Sequence, residues 1–365
     1  MSSIRSIVLL TVCLLLPQLS QAQPQRTPPD RPIDSATRTQ VIDSILKRLN
    51  DSYVFPEVAK NMESSIRGRV KEYDQITSSR LFAETLTRDL QAVSKDKHLR
   101  VRYSYEPIPV RGERREPTAE EREERQRELA WMNHGFNKVE RLRGNIGYLE
   151  FGAFLDENLG ADTVAAAMNF VAGTDALIID IRNNGGGNPA MVALVCSYLF
   201  GAEPVHLNDL YWREGDRTNE FWTRKEVAGK RYLDKDVYVL TSKRTFSGAE
   251  EFAYNLKNLK RATIVGETTG GGAHPGGVFR VSEHISMFVP TGRAINPITK
   301  TNWEGTGVTP DVEASADQAL LVTRLMVLKK SLAKLTNPQF KGGVEDEIEK
   351  LEKELSEMKA KSKSS

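Results

Sequence analysis

Ser247 follows Val237-Tyr238-Val239-Leu240-Thr241-Ser242, whose β-branched and aromatic content predicts a strand. It precedes a helical pattern carrying Phe252, Leu256 and Leu259. A serine at such a junction stands beside unpaired amides and the positive end of a helix dipole, which together stabilise an oxyanion formed on an attacked carbonyl. The same spacing, Ser247-x-x-Glu250, is also a capping box, in which serine and glutamate satisfy each other's backbone amides. Local sequence alone does not separate the two roles.

Asp180-Ile181-Arg182-Asn183-Asn184-Gly185-Gly186-Gly187 reads as a buried strand ending in three glycines. The glycines allow a tight turn with positive φ. They equally allow a close backbone approach to a ligand, or an anion-holding nest. Neither a phosphate-loop lysine pattern nor GxGxxG is present, which counts against a nucleotide. A serine nucleophile further needs a base within hydrogen-bond reach and a group that orients it. Asp96-Lys97-His98 and Glu304, in the segment 303–311, offer such groups, but spacing does not single them out among five histidines and many carboxylates.

The elements that must position these residues fall into blocks. Val41, Ile42, Ile45, Leu46 and Leu49, then Val58, Met62 and Ile66, then Leu81, Phe82, Leu86 and Leu90 recur at helical spacing and predict a small helical N-terminal domain, 34–105. A connector rich in Glu and Arg, 106–140, follows. Short apolar runs at 146–151, 176–181 and 237–240 then alternate with helical patterns, predicting an α/β core, 141–335, around a largely buried sheet. In the C-terminal helix, 336–365, Val344, Ile348, Leu351, Leu355 and Met358 form about two heptads, compatible with packing on the body or with a homo-oligomer.

With 51 Lys+Arg against 49 Asp+Glu, the net charge of +2 gives nucleic-acid binding no electrostatic support. Arg5, the apolar run at 7–16 and Ser20-Gln21-Ala22 read as a signal peptide, 1–22, cleaved after Ala22. The run is too short for a membrane span. A Pro-rich linker, 23–33, follows it. The implied location is secreted or periplasmic. Of two cysteines only Cys196 would remain, so no internal disulfide forms; its apolar surroundings suggest a buried small hydrophobe.

The segment 180–187, the junction Thr245-Phe246-Ser247-Gly248-Ala249-Glu250, Arg261-Ala262-Thr263-Ile264-Val265-Gly266-Glu267 and Gly307-Val308-Thr309-Pro310-Asp311, in this order, resemble the tail-specific (C-terminal-processing) serine protease family over most of 140–315. Tyr53-Val54-Phe55-Pro56-Glu57, Asp96-Lys97-His98 and the loop 270–275 look most like the branch holding the interphotoreceptor retinoid-binding protein modules and their bacterial secreted relatives. The resemblance implies a ClpP/crotonase-like ββα core with a helical N-terminal domain. There is no room for an inserted PDZ domain, which puts recognition of free C-termini in doubt. Where another branch carries a catalytic lysine, this chain has Gly271-Gly272.

Carried over residue by residue, the resemblance implies Ser247 as nucleophile, His98 as base and Glu304 as its orienting partner. Gly248 with Gly185 or Gly186 would form the oxyanion hole, and His274 is a rival base. The implied function is a secreted serine peptidase acting on peptides or unfolded proteins, with no metal and no organic cofactor. The alternative is a non-catalytic module binding an apolar ligand such as a retinoid or fatty acid. A crotonase-type acyl-CoA enzyme would need a carboxylate base and an adenine pocket to which no residues point.

Overall fold

The computed structural model describes residues 29–110 and 117–364. The predicted signal peptide lies outside the described residues. The chain opens with α1 (Ser35–Ser52), α2 (Pro56–Gly68), α3 (Val70–Tyr73) and α4 (Ser79–Ser94), then β1 (Arg100–Tyr103). After α5 (Ala119–Trp131) come β2 (Phe136–Leu142), β3 (Ile146–Phe151), α6 (Glu157–Val171), β4 (Ala176–Asp180) and α7 (Pro189–Ser197). Next are β5 (His206–Trp212), β6 (Arg217–Trp222), β7 (Asp236–Thr241), α8 (Gly248–Asn258) and β8 (Thr263–Gly266). The chain closes with β9 (Gly276–Arg280), β10 (Ile285–Pro290), β11 (Gly292–Ile295), β12 (Val312–Glu313), α9 (Ala319–Leu332) and α10 (Pro338–Ser364).

The fold is mixed α/β. Its central six-stranded sheet runs β12-β8-β7-β4-β3-β2, parallel except for the antiparallel edge strand β2. Because side chains alternate across a strand, Leu177 and Ile179 of β4 face α6, α7 and α8, while Ala176 and Ile178 face α9 and α10. The heptad stripe of α10 is spent on this second face: Val344 and Leu351 are buried in it, and Ile348, Leu355 and Met358 pack against it. Cys196 is buried in α7, where desolvation raises its thiol pKa well above the ordinary value.

Asp34 caps α1 by accepting from the Thr37 N–H at 2.7 Å, and the apolar stripe from Val41 to Leu49 is buried. This helical layer shares its core with Ile285, Met287 and Val289 of β10, because β1 pairs antiparallel with β10 in the register Arg100↔Phe288. The pairing carries the segment just before β1, with His98, onto the α/β body. Arg213 adds a further tie by donating to the carbonyls of Tyr53 and Asn50 at 2.8 and 2.9 Å. A separate small sheet, β11-β5-β6, walls the cleft above the start of α8.

Candidate active site

Adjacent parallel strands β4 and β7 end side by side, and the turns beyond them are stitched together. Thr245 Oγ1 donates to the Ile181 carbonyl at 2.8 Å, and the Phe246 N–H donates to the Asn184 carbonyl at 3.1 Å. These bonds hold the glycine turn of 185–187 against Ser247, in the crevice outside the carboxyl ends of the strands where α/β folds place ligands. Asp180 is not part of it. Its carboxylate is taken by Arg182 and by the Tyr148 hydroxyl at 2.7 Å.

Ser247 has φ 55° and ψ −123°, a left-handed conformation that costs a non-glycine residue about 1–3 kcal/mol. It stands at the N-cap position of α8. The anticipated capping box is present, with Glu250 accepting from the Ser247 N–H at 2.8 Å. Glu250 does much more than cap. Fully buried, it also accepts from Thr269 Oγ1 at 2.5 Å and from the N–H groups of Gly271 and Gly272 at 2.6 and 2.8 Å. Burial raises its pKa, and the hydrogen bonds work against that rise. One carboxylate thus fixes both the serine and the glycine loop 270–272.

Gly186 has φ +100°, and a Cβ there would meet Gly248 N at 2.7 Å and Ser247 Cβ at 2.8 Å, so only glycine fits. The Gly186 N–H is already donated to Asn184 Oδ1 at 2.8 Å, and the Gly185 N–H faces the Gly152 carbonyl at 3.4 Å. Neither is free to hold a substrate oxygen. The amides of Gly187 and Gly248 make no backbone hydrogen bond among the described residues, and a Cβ on Gly248 would lie 3.0 Å from Gly187 N. The geometry therefore offers Gly187 and Gly248 as the pair of open donors.

His98 packs on Phe246, the residue before the serine, with ring centroids 4.6 Å apart, and on Phe288 at 5.7 Å. Its Cε1 lies against Gly272, where an added Cβ would come within 2.7 Å. Its Nδ1 is buried without a partner, and no hydrogen bond joins His98 to Ser247 in this state. Desolvation lowers its pKa to about 4, with the nearby His274 and Arg100 adding to the effect and Asp96 opposing it.

Glu304 stands with the other histidine. Its Oε2 accepts from the Ala273 N–H at 2.5 Å and lies 3.5 Å from His274 Nδ1. Burial raises the Glu304 carboxyl to about 7, with His274 opposing that and Asp96 adding to it. Asp96, fully buried, links the two histidines: Oδ1 accepts from the His98 backbone N–H at 3.0 Å, and Oδ2 pairs with His274 Nδ1 at 2.8 Å. The Tyr53 hydroxyl also donates to Oδ2 at 3.1 Å. Asp96 was visible in Asp-x-His, but its bridging role depends on a residue 178 positions away.

Asp96, His274 and Glu304 bring three donor atoms within 4.8 Å of one another, enough to consider a metal. The 2.8 Å contact between Asp96 and His274, together with the Tyr53 hydroxyl, ties these groups into a hydrogen-bond network, in which Glu304 Oε1 alone is buried without a partner.

Two family models match the chain: peptidase family S41 over residues 145–314, and the N-terminal domain of Peptidase_S41 in eukaryotic IRBP over 35–132. The chain is 29% identical over 175 residues to carboxyl-terminal-processing peptidase 2, chloroplastic, of Arabidopsis thaliana, covering 46% of this chain and 31% of that one. It is 26% identical over 178 residues to a carboxy-terminal-processing protease of Bartonella bacilliformis, covering 47% and 39%. The chain thus spans well under half the length of these curated relatives. A protein from Parabacteroides merdae shares the fold with a TM-score of 0.57 at 16% identity, over 80% of this chain and 96% of that one. Mature CPAF does so with a TM-score of 0.52 at 13% identity, over 78% and 94%.

Proposed function

Because the chain belongs to peptidase family S41, we propose that it is a serine peptidase that cleaves peptides or unfolded proteins through an acyl-enzyme on Ser247. One observation carries the reading: a serine held in a strained left-handed turn at the start of a helix, beside two amides that no backbone group uses. In this mechanism Ser247 Oγ attacks the scissile carbonyl and gives its proton to His98. The carbonyl oxygen, now negative, is held by the N–H groups of Gly187 and Gly248. His98 then passes the proton to the leaving amine, and water releases the acyl group by the same steps in reverse.

The low pKa of His98 keeps the ring neutral, the form that can accept a proton. Closing the 4.6 Å stack on Phe246 into a hydrogen bond with Ser247 falls to the substrate complex, where catalytic contacts tighten. His274 is the second candidate base. What favours it is its Nδ1 pairing with Asp96, the arrangement that fixes a histidine's tautomer and orientation. With His98 as base, Asp96, His274 and Glu304 form the support behind it.

The segment 5–22 supports export, and no helix among the described residues is long and apolar enough to cross a membrane. The cleft beside Ser247 has a volume of about 240 Å³, below the roughly 300 Å³ at which pockets for drug-sized ligands begin, which weighs against an apolar ligand held at the serine itself. The test is casein hydrolysis by the purified chain and by Ser247→Ala. Activity lost in the variant supports the reading; equal activity in both, or equal binding of a fluorescent retinoid without hydrolysis, contradicts it.

A further inference from the structure

Glu251, one helical turn beyond Ser247, donates its backbone N–H to the Ser247 carbonyl at 3.0 Å and lines the same cleft. The walls are Leu210 and Trp212 of β5, Ala294 of β11, and Trp303. The residue is only 5% exposed, and its Oε1 is buried without a hydrogen-bond partner. Beside it lies the fully buried Asn208 amide, which acts on the Glu251 carboxyl without closing a full hydrogen bond. Buried carboxyl groups in folded proteins are paired or hydrogen-bonded, because an unpaired one is expensive. A carboxyl that lines an open cleft with one oxygen unpaired is a polar group whose partner comes from outside the chain.

Resting on the peptidase reading, we propose that Glu251 is the specificity determinant of this cleft, which takes a lysine or arginine side chain on the acyl side of the cleaved bond. The apolar walls suit the methylene stem of such a side chain, and the floor suits its charged end. The cleft's size fits one side chain. Burial pushes Glu251 up to about 8, with Asn208 opposing the rise; a cation brought against it favours the ionised form.

Two measurements on the full chain test this. The first compares kcat/KM for quenched peptides identical except for lysine, arginine, norleucine or glutamate before the scissile bond. The expected result is a lysine or arginine preference over norleucine of about tenfold or more, with that ratio falling at least about tenfold in Glu251→Gln. A norleucine preference in the unmodified chain overturns the proposal whether or not the variant folds. The second measures binding of the lysine and norleucine peptides to Ser247→Ala by fluorescence anisotropy. Hydrolysis without lysine selectivity sinks the pocket assignment and leaves the peptidase standing. Lysine-selective binding without hydrolysis of any peptide upholds the pocket and sinks the peptidase, and unselective binding without hydrolysis overturns both.

Discussion

Glu250→Gln tests how the site is held together. The native carboxylate accepts four hydrogen bonds, from the Ser247, Gly271 and Gly272 N–H groups and the Thr269 hydroxyl. A glutamine has one oxygen, and its NH₂ would face two of these donors, so two bonds are lost and two buried donors are left opposed. At about 1–3 kcal/mol for each orphaned buried group, the gross cost is roughly 2–6 kcal/mol. Burial disfavours the native charge, as the raised pKa records, so neutralisation returns part of it. A net loss of about 3 kcal/mol remains, or about 6–12 °C in Tm for a unit of this size. Activity should fall further than stability, because the strained serine and the loop facing His98 lose their common anchor. A misplacement of about 1 Å costs on the order of 10²-fold in kcat/KM. The assay is thermal unfolding by circular dichroism, paired with kcat/KM on a quenched peptide well below Tm. A variant that melts within 2 °C of the parent, by the roughly 1 kcal/mol resolution of such shifts, and keeps about a third or more of its kcat/KM would refute the reasoning.

Three further outcomes follow from the geometry. His98→Ala should lower kcat/KM by about 10²–10⁴-fold while His274→Ala leaves more activity; the reverse order in the same assay makes His274 the base. If reaction needs Glu304 ionised and His98 neutral, kcat/KM should rise with pH through a limb near 7, since Glu304 sits at about 7 and His98 is already neutral above about 4. The limb belongs to Glu304 and should be lost in Glu304→Gln; a flat profile from pH 5 to 8 would contradict it. Gly186→Ala, whose Cβ would sit 2.7 Å from Gly248 N, should cost about 1–3 kcal/mol in urea unfolding and at least about tenfold in kcat/KM.

What could be read in the sequence was local. The run 237–242 followed by Ser247 and the stripe Phe252, Leu256 and Leu259 gave the strand-turn-helix of β7 and α8, since each period lies within a few residues. The glycines after β4 were legible as a turn, but which amides stay open was not. That depends on Asn184 folding back onto Gly186 and on Gly152 facing Gly185. Glu250 was visible only as a capping partner, because its other three donors come from residues 269–272. The pairing of β1 with β10, which brings His98 to Phe246, joins residues far apart in sequence. The heptads of α10 carried no sign of whether their partner was another chain or α9, since either offers the same apolar seam.

The central claim is that Ser247 is a nucleophile. Treating the purified chain with a fluorophosphonate and mapping the adduct by tandem mass spectrometry tests it most directly. The account predicts one adduct, on Ser247, formed faster in the parent than in His98→Ala and blocked by a competing peptide substrate. No adduct on Ser247, or labelling that peptide substrate does not slow, would contradict it.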